Sequence, residues 1–345
     1  MLRFNKNIKI ILNYIVGPLV FCLLLFSIYR QIQQQPGWHQ SIQELLHSLD
    51  NEAAWTLGGV IALMLLNWGL EARKWQLIIR RIQPLSWYKS FKATLTGTTL
   101  AFFTPNRMGE YVGRVLYIEE GRRLQAVSLT IVGSMAQLIV TLVFGAAGLF
   151  LLKNQLTDRM QGTAFGILFL DAVLYITLLG ALLLTIFYFR LSWLVRWIEK
   201  IPRIEKVTAS IKVLDDFQPA LLFQVLGLSV LRYGVFILQY YLLFRVFRVG
   251  LNEWQVFWSV SVVFLVMAIV PTIALFTELG VRWKTSLEIV QLFSTNYVGI
   301  LATSLAVWLI NLVIPALLGS LLILNIRLFR YRQELRKRNA ESEPD

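Results

Sequence analysis

The chain has 345 residues, of which 57% are hydrophobic and only 15% are charged. A water-soluble domain would carry roughly 25% charged residues, and a β-barrel would show short alternating segments instead of long apolar runs. The net charge of +13 does not indicate nucleic-acid binding, because Lys and Arg concentrate in short segments between apolar runs, the pattern of cytoplasmic loops in membrane proteins. The sequence therefore predicts an all-α polytopic membrane protein.

About 20 consecutive apolar residues cross a bilayer as a helix. Six stretches are predicted to be full spans: residues 10–30, 53–70, 126–152, 163–189, 219–243 and 297–326. The first follows a basic start and has no small-residue cleavage site, so we interpret it as a retained span and not as a signal peptide. Two further apolar segments, 91–104 and 254–276, each lead into a short polar motif.

The distribution of Lys and Arg predicts the orientation of the chain. These residues number three in the head, ten in residues 71–125, six in residues 190–218 and six in the basic tail 327–345. We therefore expect a multi-pass protein of the cell (inner) membrane with both termini cytoplasmic. Six crossings satisfy this orientation if the two short apolar segments enter the membrane and return on the same side, although residues 254–276 are also long enough to cross.

The two polar motifs, TPNRMGEYVGR at 104–114 and PTIALFTELGVR at 271–282, share one arrangement of residues. Glu110 precedes Arg114 by four residues, and Glu278 precedes Arg282 by four residues. A pair at this spacing is also a common stabilising pair on a helix surface, worth roughly 0.2–0.5 kcal/mol. The motifs contain residues that we expect to break the helices: Pro105, Gly109, Gly113, Pro271 and Gly280.

The order of span, span, short segment with motif, and span occurs twice, in halves that cover approximately 10–152 and 163–326 of a single transmembrane domain. The first half begins inside and the second outside, so the halves have opposite orientations. Inverted repeats with broken helices near the middle of the membrane are a recurrent plan of transporters. We therefore predict two re-entrant helical hairpins, whose charged pairs line a polar path.

Two further charges lie in the middle of predicted spans, Asp171 and Arg232. A charge at the bilayer centre costs at least ~2.5–3.5 kcal/mol, so both side chains are expected to find partners inside the helix bundle. They pair with each other, or Arg232 meets Glu278 or a ligand phosphate; a purely structural ion pair between spans is the alternative. Glu71 closes the second predicted span, and we interpret it as an interfacial residue that reaches water.

Catalytic and metal-binding signatures are not found in the sequence. It contains no G-x-S-x-G, H-E-x-x-H or Walker A motif. His39 and His47 lie in a loop without Cys or further His nearby, so no metal site is expected. The sequence therefore predicts a protein that is not an enzyme and that has no cofactor.

The motif TPNRMGEYVGR, followed by a long apolar helix, resembles the first signature of the lysylphosphatidylglycerol synthase transmembrane-region family, also called flippase-like proteins. TELGVR resembles the second signature, and the resemblance covers roughly residues 50–325. It implies an integral inner-membrane protein that moves a lipid with a modified headgroup between leaflets. Because the chain stops at residue 345 without a transferase domain, we expect no aminoacyl-transferase activity.

The sequence departs from the family pattern at two places. Members often carry a Glu-Arg pair in the span after the first signature, where this chain has Ala136 and Gln137. The second signature usually continues with Glu after its Arg, where this chain has Trp283. Both departures bear on the identity of the substrate more than on the fold.

The resulting hypothesis is a lipid translocase without its own ATPase. Its path is lined by Glu110, Arg114, Glu278 and Arg282, Arg232 contacts phosphate, and Asp171 balances charge or carries a proton. The expected partners are membrane lipids that are anionic or bear phosphate, with an envelope-lipid biosynthetic enzyme as a possible protein partner. Two alternatives remain: a non-transporting accessory or scaffold protein for envelope-lipid or glycan synthesis, and a membrane-embedded transferase acting on a lipid carrier.

Overall fold

The computed structural model describes residues 51–160, 163–191, 212–214, 217–270 and 275–323, and a few isolated residues outside these ranges. Within this part of the chain all regular elements are helical and no strand occurs. The predicted tail 327–345, the predicted break at Pro271 and nearly all of the predicted span 10–30 lie outside the described residues.

The described helices are α1 Asn51–Ile79, α2 Trp87–Ala101, α3 Gly109–Val115, α4 Arg123–Arg159, α5 Ala164–Phe189, α6 Pro219–Val246, α7 Glu253–Ile269, α8 Leu275–Val290 and α9 Tyr297–Trp308. A π-helical turn, Leu309–Val313, extends α9 into a helical segment that reaches residue 323. Five helices of the described part are long and apolar enough to cross a membrane: α1, α4, α5, α6 and extended α9. They correspond to five of the six predicted spans.

Helices α2 and α3 form an antiparallel hairpin that is held closely together by glycine. The chain reverses between them, where Asn106 and Arg107 adopt left-handed conformations with φ of 49° and 59°. A Cβ atom on Gly113 of α3 would lie only 2.6 Å from the backbone nitrogen of Gly97 on α2. The glycines therefore permit a backbone contact that any side chain would prevent.

This packing corrects part of the predicted set of helix breaks. Pro105 begins the turn between α2 and α3, and Gly109 is the first residue of α3, so both lie at the break. Gly113 lies inside α3 and Gly280 lies inside α8, so neither of them breaks a helix. Gly113 therefore permits close packing of two helices and does not mark a chain reversal.

The long helices also pack through small residues. On α4, a Cβ atom at Gly145 would lie 2.6 Å from the Cβ atom of Leu265 on α7. On the extension of α9, Gly319 faces the backbone of Leu95 on α2, and Thr99 of α2 donates a hydrogen bond of 2.6 Å to the carbonyl oxygen of Ala316. Small residues allow such close approach between helices in a membrane.

Helix α1 packs along α6, and this pair brings distant charges together. The predicted span ended at residue 70, whereas α1 continues to Ile79. Glu71 and Lys74 therefore lie inside a helix, with exposed fractions of 5% and 1%. The interpretation of Glu71 as an interfacial residue that reaches water is wrong, because α6 and the α2–α3 hairpin cover this face of α1.

Candidate functional site

A cavity of about 400 Å³ lies between α1, α3, α4, α6, α7, α8 and α9. Its lining includes four of the six side chains predicted for the substrate path: Glu110, Arg232, Glu278 and Arg282. These residues come from three helices that are far apart in the sequence, so the cavity brings together the charges of both motifs. Most of the remaining lining is apolar or aromatic.

The most buried charged cluster surrounds Glu71. Its Oε1 atom accepts a hydrogen bond of 2.7 Å from Arg114 of α3, and its Oε2 atom accepts one from Arg232 of α6. The Nζ atom of Lys74 lies 2.7 Å from the same Oε2. Asn67, one turn before Glu71, accepts a 2.7 Å hydrogen bond from the Nε atom of Arg232. One carboxylate thus holds cations from three helices.

Arg114 of the first motif is a structural member of this cluster. Its exposed fraction is 2%, and its guanidinium also donates a hydrogen bond to Glu110, as the spacing of the motif predicts. Arg114 is not part of the cavity lining, although both of its carboxylate partners are. It therefore positions Glu71 and Glu110 and does not itself face the cavity.

Arg282 of the second motif has a different set of partners. It donates a 3.1 Å hydrogen bond to Glu278 and a 3.0 Å hydrogen bond to the hydroxyl of Tyr240 on α6. Its Nε atom is buried and has no hydrogen-bond partner. The Nε atom of Arg114 is likewise buried without a partner, but of these two arginines only Arg282 lines the cavity.

The charges at the cavity favour an anionic ligand. Among the described residues that line it, the cations are Lys74, Arg107, Arg232 and Arg282, and the carboxylates are Glu71, Glu110 and Glu278. Four positive charges against three negative charges leave a net charge of +1. The indole nitrogens of Trp68 and Trp308 are buried without an acceptor and belong to lining residues. Among the lining side chains, three buried donors (on Trp68, Trp308 and Arg282) and one buried acceptor (on Asn311) lack a hydrogen-bond partner.

The described residues contain no group of three or more His, Cys, Asp or Glu side chains that could hold a metal ion. At the cavity, the described residues provide charged groups and hydrogen-bond donors.

Asp171 lies away from the cavity. On α5 it forms an ion pair with Lys153 of α4, and both side chains are 29% exposed. Helix α5 packs mainly against α4, so its charged residue reaches neither Arg232 nor Glu278. The alternative in which Asp171 pairs with Arg232 is therefore wrong, and its partner is Lys153, just beyond the predicted span 126–152.

Sequence reasoning missed Glu71 and Lys74 as site residues. Asn67, Glu71 and Lys74 follow one another at spacings of four and three, which places them on one face of a helix. That periodicity was the available signal, but the charges were read as the end of the span. Gln137, which stands at a departure from the family pattern, lies 3.4 Å from Arg232 and lines the cavity.

Comparison with known proteins identifies the same family that the two motifs resemble. The family model described as the lysylphosphatidylglycerol synthase TM region matches residues 14–319. No curated protein matches the chain, and no solved structure matches it. The match includes every cavity residue named above and covers most of the chain. The protein therefore belongs to the family of lysylphosphatidylglycerol synthase transmembrane regions.

Proposed function

We propose that this protein is a translocase that moves an anionic phospholipid or a lipid-linked headgroup between leaflets without an ATPase of its own. The observation that carries the proposal is the net positive cavity, lined by charges from both motifs, among helices suited to cross a membrane. Membership of a lipid-related family supports it. The proposed role is transport and not an enzymatic reaction.

In this proposal the headgroup enters the cavity while the acyl chains stay in the bilayer. A phosphate in hydrocarbon is costly, whereas the cavity offers two guanidinium groups, Arg232 and Arg282, that line it from two different helices, α6 and α8. Arg binds phosphate through parallel charge-assisted hydrogen bonds. The apolar and aromatic lining, including Trp68 and Phe236, excludes water and strengthens these interactions.

We propose that six spans and two re-entrant hairpins form an inverted repeat around this cavity. Reciprocal packing supports this arrangement. The last span of the first half contacts the first arm of the second hairpin through Gly145 and Leu265, and the last span of the second half contacts the first arm of the first hairpin through Gly319 and Leu95. Such an exchange is expected of two halves related by a two-fold axis.

The proposed location is the cell inner membrane, with both termini cytoplasmic, as the distribution of basic residues favours. The proposed ligands are anionic or phosphate-bearing membrane lipids. An enzyme of envelope-lipid biosynthesis is a candidate protein partner, because a translocase needs a source of its lipid on one side of the membrane.

Reconstitution into liposomes tests the proposal. Headgroup-labelled phosphatidylglycerol and phosphatidylcholine are incorporated separately, and an impermeant quencher reports how fast label in the inner leaflet reaches the outside. We expect fast movement of phosphatidylglycerol with the native protein and at least tenfold slower movement with Glu110→Gln/Glu278→Gln. Glu288→Gln is the matched control, because Glu288 pairs with Arg159 at a distance from the cavity.

Movement no faster than in empty liposomes, for every lipid tested and with or without a proton gradient, would contradict the proposal. That outcome would favour the accessory or scaffold role. A partner protein that co-purifies with the chain would then be the next measurement.

A further inference from the structure

Glu71 joins the two halves of the chain by charge at the cavity. One of its oxygens accepts a hydrogen bond from Arg114 of the first hairpin, and the other accepts one from Arg232 of α6 in the second half. Both of these cations are buried, with exposed fractions of 2% and 8%. The same carboxylate lines the cavity. It is therefore both a bridge between the halves and a part of the site.

Glu71 occupies donors that a bound anion requires. Arg232 and Lys74 line the cavity together with Glu71, and both are bound to its Oε2 atom. An incoming phosphate presents oxygens of the same charge and geometry as a carboxylate, so it competes for the same N–H groups. Two anions sharing these donors would also repel each other in a buried site. Binding of the phosphate therefore weakens the bond between Glu71 and Arg232.

We propose that Glu71 is an internal counter-ion that the headgroup phosphate displaces from Arg232, and that this displacement couples occupancy of the cavity to separation of the two halves. The inference rests on the proposed function, and it assigns a positioning role to a residue outside both motifs. When the cavity is empty, Glu71 holds α1, α3 and α6 together and neutralises Arg232. When an anion binds, Arg232 turns to it and the bridge opens.

The second half contains a carboxylate that allows a matched comparison. Glu278 also lines the cavity, but its bond is to Arg282 on its own helix. Glu71→Gln and Glu278→Gln each add one positive charge to the same cavity. Only Glu71→Gln weakens a bond between the halves. A simple electrostatic attraction predicts the same response in both variants, whereas displacement of Glu71 predicts a difference.

The experiment measures a distance between the halves by electron paramagnetic resonance. Spin labels are attached to cysteines at Val112 on α3 and Leu231 on α6, which are 55% and 52% exposed, in a background where Cys22 is replaced by Ser. The protein is studied in phosphatidylcholine nanodiscs with increasing fractions of phosphatidylglycerol. The choline cation balances the phosphate charge of phosphatidylcholine, whereas the phosphate charge of phosphatidylglycerol is unbalanced and competes with Glu71. In the native protein we expect a second distance population that grows with the phosphatidylglycerol fraction.

Glu71→Gln is expected to show this second population in phosphatidylcholine alone, or at a phosphatidylglycerol fraction at least fivefold lower than the native protein requires, a ratio within the usual range of coupling between sites. Glu278→Gln changes the charge of the cavity by the same amount without weakening the bridge, so we expect it to shift the required phosphatidylglycerol fraction less than Glu71→Gln does. If Glu71→Gln does not fold, Glu71→Gln/Lys74→Met removes the bridge and one neighbouring cation together, and we expect it to show the second population without phosphatidylglycerol.

Three results would overturn the inference: a native protein insensitive to phosphatidylglycerol, a Glu71 variant identical to the native protein, or equal responses of the Glu71 and Glu278 variants. The inference and the proposed function fail separately. Normal lipid movement in liposomes with an unresponsive Glu71 variant rejects the inference alone. No lipid movement, with the expected distance changes, rejects translocation and leaves Glu71 as the counter-ion of an anion-binding site.

Discussion

The two Glu/Arg motifs have the same spacing, but the structure gives their arginines different surroundings. Arg114 is bound by Glu110 and by Glu71, whereas Arg282 is bound by Glu278 and by the hydroxyl of Tyr240. The first arginine has two carboxylate partners and lies outside the cavity lining; the second has one and lies within it. The two motifs therefore differ because neighbouring helices supply different partners to their arginines, a carboxylate in the first and a hydroxyl in the second.

This difference assigns the arginines to different tasks. A guanidinium between two carboxylates is neutralised and holds the helices that carry them. A guanidinium with one carboxylate and one neutral hydroxyl is less fully neutralised, and Arg282 also lines the cavity. Substitutions of the two arginines and of neighbouring residues test this difference in tasks. The largest effect is expected at Arg114 and the smallest at Asp171.

The stability of the protein should depend more on Arg114 than on Arg282. Arg114→Met removes a partner from Glu71, which is buried but keeps Lys74 and Arg232, and from Glu110, whose side chain is 22% exposed. Loss of one member of a buried ion pair costs roughly 3–5 kcal/mol, so we expect a loss near the lower end of that range. Arg282→Met leaves one carboxylate that faces the cavity, so we expect a smaller loss. Thermal unfolding of both variants in detergent, followed by size-exclusion chromatography, measures the difference. Equal losses would remove the distinction between the two arginines.

Lipid movement should depend directly on Arg282. Arg282→Gln removes a cation of the cavity lining, so we expect at least a tenfold slower movement of phosphatidylglycerol in the liposome assay, with protein that remains folded. Arg282→Lys keeps the charge without the planar donor group and should recover part of the rate. A normal rate in the Gln variant would show that the second arginine is structural as well.

Tyr240 should have a smaller effect through the orientation of Arg282. Tyr240→Phe removes the hydroxyl that accepts the 3.0 Å hydrogen bond, and loss of one such bond to a charged group is worth roughly 1.5–3 kcal/mol. Because Glu278 still holds the guanidinium, we expect a reduction in transport of about threefold to tenfold. Tyr241→Phe is the matched control, since Tyr241 contacts Glu253 and not Arg282. Equal effects of the two variants would contradict a role for Tyr240.

The smallest effect is expected at Asp171. Asp171→Asn/Lys153→Gln removes an ion pair that lies away from the cavity, so lipid movement should stay within about twofold of the native rate. The liposome assay with a proton gradient checks the same variant against a proton-carrying role. A loss comparable with that of Arg282→Gln would place Asp171 back on the path.

Local sequence patterns predicted much of the site because the relevant residues are close in the chain. The pairs Glu110/Arg114 and Glu278/Arg282 are four residues apart, and both form as hydrogen-bonded pairs on helices. Arg232 was expected to be buried and paired because an isolated charge in a membrane is costly, and it has an exposed fraction of 8%. Periodicity and residue type are sufficient for such conclusions.

The partners of these residues required the folded chain. Arg232 binds Glu71 across a separation of 161 residues, and Arg114 binds Glu71 across 43. The sequence alone suggested instead that Glu71 marked the end of a span and that Asp171 was available to Arg232. Only the packing of α1 on α6 decides between these arrangements.

The sequence by itself determined the class of protein, five helices that are long and apolar enough to cross a membrane, the family and the two charged motifs, since these follow from hydropathy and from short-range spacing. The tertiary structure decided which carboxylate each arginine receives, which glycines serve packing instead of chain reversal, and which charges face the cavity. The physical reason is that a buried charged residue must be paired, and which residue pairs with it depends on which helices pack together.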